Sequence, residues 1–275
     1  MRSNKKFEVK DYWENKVCGA VYGGIREEGR VNLDKMAKAR YELEPFILPF
    51  VDFPAWKGKR ILEIGVGGGV DFSGWVFGGA DATGIDLTEA GVQMTRQRLK
   101  ELGLSNGNYR LAVADAENLA FPDETFDLVY SWGVLHHSPD TPKAFREACR
   151  VTKRGGEFRG LIYHAHCWVG LMFWFRYSLL TARPWKSPRQ AMFEHLESPG
   201  TKTYTKRETE ALLRGAGFKH WDIRFQLSIG DLLTNTPRDK YRSPIYKLVW
   251  RLYPRWFVKM MGNRWGLGIM IKAYK

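Results

Sequence analysis

The spacing of hydrophobic positions changes near residue 58. Before it, apolar residues recur at helical intervals without strand-like alternation. Residues 35–50 (KMAKARYELEPFILPF) predict one helix that Pro49 stops. After residue 58, short apolar runs alternate with amphipathic stretches. Arg60–Ile64 predicts a buried strand ending in glycines, 69–77 a helix, 82–85 a second strand and 89–102 another helix. Residues 108–112 and 126–130 (FDLVY) predict the third and fourth strands, 142–150 a helix, and 156–163 a fifth strand. Strands alternating with helices at this spacing indicate βαβ units and a parallel sheet.

The alternation then breaks. Residues 164–200 are rich in aromatics and interrupted by Pro184, Pro188 and Pro199, which predicts an insertion rather than another βα repeat. A helix is expected at 206–215, with Thr205 as N-cap, Glu208 in the capping-box position, and Gly215 and Gly217 as its stop. Residues 220–228 read as a strand, 241–261 as an amphipathic stretch interrupted by Pro254, and 267–273 as a last strand. The chain divides into an N-terminal helical segment, 1–57, and a sheet domain, 58–275, with insertions near 164–205 and 229–264. A length of 275 residues suits one large α/β domain with small additions.

Composition adds a surface to this outline. The net charge is +13, and residues 201–275 hold 16 Lys and Arg against five Asp and Glu. A basic C-terminal third fits an anionic partner or a solvated basic face. There are 11 Trp, enough to fill a core, line an apolar pocket or meet a membrane interface. The three cysteines, Cys18, Cys149 and Cys167, have neither metal nor redox spacing, so a reduced, cytoplasmic setting is expected. The N-terminus lacks the apolar core of a signal peptide. The most apolar stretch, 167–175, is broken by Arg176 and falls short of the ~20 residues a spanning helix needs.

The chemistry begins at ILEIGVGGGVD (61–71), where Gly65, Gly67 and Gly69 stand between a strand and a helix. Glycine there lets the backbone approach a ligand closely, next to the free N–H groups of a helix start. Asp86 ends the second strand in GIDLT, about 20 residues on, where nucleoside-binding folds place the acid for the ribose hydroxyls. Asp115 follows the third strand in ADAENL and suits the adenine amino group. Either acid alone serves as easily as a cap. Together they mark three successive strand ends, which is where open parallel sheets bind ligands.

These segments resemble class I S-adenosylmethionine-dependent methyltransferases. ILEIGVGGGVD resembles their first motif, with Glu63 at the acidic position. GIDLT resembles their ribose loop, and ADAENLAFPDETFDLVYSWGVLHHSPD resembles the run through the adenine loop and fourth strand. The resemblance covers residues 59–163. It implies a Rossmann-like α/β fold: a seven-stranded, mostly parallel sheet with helices on both faces, an N-terminal helical lid and an insertion after strand five. It implies S-adenosylmethionine as cofactor. The Gly65–Val66–Gly67 backbone and Gly69 would meet its methionine part, with Ser131 beside it. Asp86 would hold the ribose, Leu87 would pack on the adenine, and Asp115 with Ala116 would read the adenine edge. A nicotinamide-dependent dehydrogenase is the rival, but GVGGG lacks the G-x-G-x-x-G spacing and no Ser/Tyr/Lys hydride-transfer set is evident.

His136 and His137 follow strand four, beside the expected donor pocket. Either suits a general base, His137 the better, and either also suits a packing role. His164 and His166 have the spacing of a metal pair but no accompanying carboxylates, so no metal is expected. Tyr41 is a candidate for the cofactor's carboxylate end, and Tyr22, His164 and Tyr204 are candidates for substrate contact. The aromatics of 164–205 favour a small acceptor with an apolar or ring-containing body, methylated on O or N. A lipid acceptor at an anionic membrane surface is the alternative. RNA or protein as acceptor finds less support: strand four is followed by SWGV, not N/D-P-P-[YFW], and no RNA-binding module is visible.

Overall fold

A computed structural model describes residues 2–17, 32–198, 200–234, 248 and 250–275. A seven-stranded sheet runs through the middle in the order β3-β2-β1-β4-β5-β7-β6. Its strands are β1 (Arg60–Ile64), β2 (Asp81–Asp86), β3 (Tyr109–Val113), β4 (Phe126–Trp132), β5 (Thr152–Tyr163), β6 (His220–Gln226) and β7 (Gly268–Tyr274). The first five pair in parallel, while β7 lies antiparallel between β5 and β6. The α/β expectation and its strand count hold.

Position in the sheet explains each strand's composition. β1 and β4 are central and nearly all buried, as continuous apolar runs require. β6 is an edge strand and alternates between exposed and half-buried. Alternation along the strands feeds two cores. Leu62, Ile64 and Val129 join one face with Phe145, Phe158 and Ile269. Ile61, Leu128 and Tyr130 join the other with Phe72, Trp75 and Leu99.

The helices are α1 (Arg2–Asn15), α2 (Leu33–Leu43), α3 (Ile47–Val51), α4 (Val70–Phe77), α5 (Glu89–Glu101), α6 (Thr141–Val151), α7 (Trp168–Tyr177), α8 (Pro188–His195), α9 (Lys206–Ala216), α10 (Ile229–Leu232) and α11 (Arg255–Met261). Thr205 and Glu208 form the expected capping box of α9. One expectation fails: 35–50 is not a single helix. Glu44, just before Pro45, leaves helical geometry at φ −128°, ψ 62°, because a proline ring disfavours a helical residue ahead of it. Pro49 instead lies in the first turn of α3, where its missing N–H costs nothing.

The region after β5 packs around a core of its own, Cys167, Val169, Met192 and Leu267. Buried Asp231 ties it to the sheet. Its Oδ1 accepts from Val169 N at the start of α7, and its Oδ2 accepts from Leu267 N ahead of β7. No helix among the described residues is long and apolar enough to cross a membrane.

Candidate functional site

A cavity of about 1050 Å³ opens at the carboxyl ends of β1, β2 and β4, where the strand order reverses. It is large for one drug-sized ligand, which leaves room for a cofactor and an acceptor together. At its floor lies the glycine loop. Gly65, at φ 84°, cannot carry a side chain: a Cβ there would stand 2.3 Å from Val134 Cγ2. Val66, Gly67 and Gly68 also line the cavity. Gly69 does not; it caps α4 from a left-handed conformation.

Asp86 reaches back across the loop. Its Oδ2 accepts from Gly67 N at 2.9 Å, and its Oδ1 accepts from Thr88 N and Thr88 Oγ1. A carboxylate has about four acceptor positions, so three are filled and one is left for a ligand hydroxyl. Leu87, Asp115 and Ala116 continue the wall. Lys6 of α1 donates to Asp115 Oδ2 and to Glu117 Oε2, each at 2.6 Å. Those two carboxylates hold the Lys6 ammonium above its usual range despite partial burial. Val9 and Trp13 of the same helix also face the cavity, so α1 covers the end at Asp115 and Glu117.

At the opposite end a buried polar network closes the site. Asp71, in the first turn of α4, accepts from Arg40 Nη2 (2.7 Å), Tyr130 Oη (2.8 Å) and Tyr41 Oη (3.2 Å). Arg40 also donates to Glu44 Oε2 at 2.6 Å. Burial works against the guanidinium charge, yet Asp71 and Glu44 hold it well above the usual value. Burial and nearby Asp71 push the Glu63 carboxyl up; its Oε2 accepts from Trp75 Nε1. Arg40, Glu44, Glu63 and Asp71 all line the cavity, a mixed-charge end suited to an amino-acid moiety. Tyr41 does not line it; its hydroxyl is spent on Asp71.

His137 lies in the cavity wall, and His136 does not. His137 Nδ1 is held by Ser198 Oγ (2.8 Å) and Thr201 Oγ1 (3.2 Å). Its Nε2 stands 3.3 Å from Glu197 Oε2, off hydrogen-bond alignment. Tyr163 Oη donates to that same carboxylate oxygen at 3.0 Å. His136 is fully buried and packs against Tyr163 in a tilted pair with ring centroids 4.0 Å apart; burial and His137 push its pKa well down, which keeps it neutral. Among the described residues, His136, His137 and Glu197 bring metal-ligand-type atoms within 4.8 Å of one another. Sequence spacing could not show that cluster, because Glu197 arrives from the insertion.

Other expected site residues are placed elsewhere. Ser131 is buried and donates to Ile64 O, so it braces β4 on β1 while Trp132, Gly133 and Val134 face the cavity. Tyr204 is buried in the core beside α6 and α9. His164 packs on Phe225 at 4.4 Å, with Nδ1 3.2 Å from Gly266 O, and does not reach the cavity. Tyr22 lies outside the described residues. Residues of the site without a local sequence signal are Lys6, Arg40, Tyr163 and Glu197.

His164 has a measurable consequence. Burial lowers its pKa from 6.5 to about 4. The unfolded chain therefore binds a proton that the folded chain refuses between those values, and stability falls as pH drops below 6.5. By pH 5 the loss at this residue is about 2 kcal/mol. The His164→Phe variant is expected to lack that increment, which urea unfolding of both proteins at pH 7 and pH 5 will measure.

Residues 62–159 match a family model described as a methyltransferase domain. The ubiquinone biosynthesis O-methyltransferase of Thiobacillus denitrificans is 36% identical over 120 residues, 43% of this chain and 51% of that protein. A phosphatidylethanolamine N-methyltransferase of Cereibacter sphaeroides is 36% identical over 101 residues, 37% of this chain and 49% of that one. The chain thus spans about half the length of the curated relatives it matches. A putative methyltransferase solved with the Haloferax volcanii Trm112 activator shares the fold at TM-score 0.62 and 15% identity, covering 97% of this chain and 96% of that one. A Haemonchus contortus phosphoethanolamine N-methyltransferase, solved with S-adenosylhomocysteine, does so at TM-score 0.60 and 16% identity, covering 97% of this chain and 60% of that one.

Proposed function

We infer that this chain is a class I S-adenosylmethionine-dependent methyltransferase acting on a small acceptor, through a proton-bearing oxygen or nitrogen. The observation that carries the reading is the order of groups along one cavity: Arg40, Asp71 and Glu63 at one end, the glycine loop and Asp86 in the middle, and Asp115 with Ala116 at the other. That order suits a methionine head, a ribose and an adenine in turn. Bound there, S-adenosylmethionine supplies an electrophilic methyl group on sulfur. The chain's own task is to hold the acceptor atom in line with it and to take the acceptor's proton. His137, with Glu197 and Tyr163, stands where that proton would leave. The helical segment carrying α1 acts as the cover, with Lys6 clasping Asp115 and Glu117.

The acceptor half of the cavity, lined by Leu171, Met172, Phe173 and Leu267 among others, favours an apolar body. Two relatives point the same way, one named for ubiquinone biosynthesis and one for phosphatidylethanolamine. A lipid-like acceptor is therefore the narrower form of the proposal.

Calorimetry with S-adenosylhomocysteine tests the reading. Wild-type protein is expected to bind it. Asp86→Ala is expected to weaken binding by about 1.5–3 kcal/mol, some ten- to a hundredfold, because it removes a charge-assisted acceptor and releases the loop at Gly67. A wild-type protein with no affinity for the product would sink the proposal.

A further inference from the structure

Exposed large apolar side chains concentrate in the segments that flank the acceptor half of the cavity. In and after α7 these are Leu171, Phe175, Leu180 and Trp185; in the C-terminal segment they are Leu248, Leu252, Trp256 and Met260. Trp256 and Met260 lie four residues apart on α11, so they share one side of the helix, while Val258 between them is buried. Phe257 packs edge-on against Trp168 at 6.0 Å and fastens α11 to the start of α7.

The cavity reaches this face. Leu171, Phe175 and Leu180 are at once exposed and part of its wall, and Trp250 and Tyr253 line it from the other segment. Charge on the face has one sign. Neither 166–193 nor 248–275 contains an Asp or Glu, whereas Arg183, Arg251, Lys259 and Arg264 are exposed there. An interface buried against another protein depletes charge at its centre. Trp, Met and Leu interleaved with cations is instead the pattern of a helix lying in the headgroup plane of a bilayer.

Building on the methyltransferase reading, we propose that the face formed by α7, residues 179–186, Leu248 and residues 250–261 docks on an anionic lipid bilayer, and that the acceptor enters the cavity from the bilayer through the mouth beside Phe175 and Leu180. The apolar side chains insert, the cations meet headgroup phosphates, and the acceptor's apolar body stays out of water along its path. The step needs no change of sheet or cofactor site.

The test is co-sedimentation of the whole chain with phosphatidylcholine vesicles, with and without about one third phosphatidylglycerol. The expected result is partition onto the anionic vesicles, weakened by salt, and little onto neutral ones. Trp256→Ser with Met260→Ser, and separately Arg251→Glu with Lys259→Glu, are each expected to lower that partition at least about tenfold. S-adenosylhomocysteine affinity, measured on the same preparations, is expected to stay unchanged and shows that the variants fold. Wild-type protein that binds the product but stays in the supernatant overturns the docking face alone. So does equal partition onto both vesicle types, or undiminished partition of both variants. Loss of product binding by the wild type strikes the methyltransferase reading instead.

Discussion

Replacing Asp71 by Ala is expected to destabilise the protein by about 3–5 kcal/mol, the cost of stripping the partner from a buried ion. The carboxylate is only 5% exposed and accepts from Arg40, Tyr41 and Tyr130. Without it the Arg40 guanidinium keeps only Glu44. Two hydroxyls also lose their acceptor, and that of Tyr130 belongs to a fully buried residue. Asp71→Asn preserves shape and one acceptor oxygen, so it is expected to cost less. Arg40→Met combined with Asp71→Ala is expected to recover part of the loss, because the orphaned charge is then gone. Urea unfolding of the three variants checks this. A loss under about 1 kcal/mol for Asp71→Ala would show that the network is solvated and adds nothing. Product binding is expected to fall alongside, since Arg40 and Asp71 line the end of the cavity proposed above for the methionine part.

That network also shows where sequence reading stops. Asp71 is adjacent to the glycine loop, and its position in ILEIGVGGGVD was visible; its partners were not. Arg40 is 31 residues away on another helix, and the choice between Arg40 and its neighbour Tyr41 rests on which side of α2 turns to the cavity. The loop, Asp86 and Asp115 were legible because each ends or follows a strand, and parallel strands bring their carboxyl ends together whatever the rest of the chain does. The bounds of β1 were legible for a related reason, whereas β5 begins four residues before the expected 156. β1 is a continuous apolar run closed by glycine, and its observed span coincides with the expected one. Ser131 shows how fine the margin is. Along β4 successive residues alternate faces, so Ser131 turns to Ile64 O while Trp132 meets the cavity. Lys6 and Glu197 depend on how α1 and the insertion fold back, and no local pattern encodes that. The break at Pro45 was legible in principle, since the residue before a proline resists helix; the apolar run beyond it disguised the stop.

Replacing His137 by Gln is expected to lower kcat about 10²–10³-fold while leaving S-adenosylhomocysteine affinity unchanged, the signature of a lost general base rather than a damaged cofactor site. Geometry favours His137 over His136: it lines the cavity, and Ser198 and Thr201 fix its ring through Nδ1. Nε2 and Glu197 Oε2 lie 3.3 Å apart, so the two groups act as one unit, the carboxylate standing close enough to stabilise the charge the ring gains when it takes a proton. On the proposed reading, the acceptor's proton would pass to His137 as its oxygen or nitrogen bonds to the methyl carbon and the methyl–sulfur bond breaks, and the imidazolium formed would be stabilised by Glu197. Glu197→Gln is expected to produce a loss of similar order. In the double variant the losses should not add, because each single change already disables the unit. Tyr163→Phe removes only the hydroxyl that donates to Glu197 and is expected to lower kcat less than either of those changes. A His137→Gln enzyme with unchanged kcat would reduce the histidine to a packing residue. Methyl transfer would then depend on positioning alone, with an acceptor that reaches the site already deprotonated.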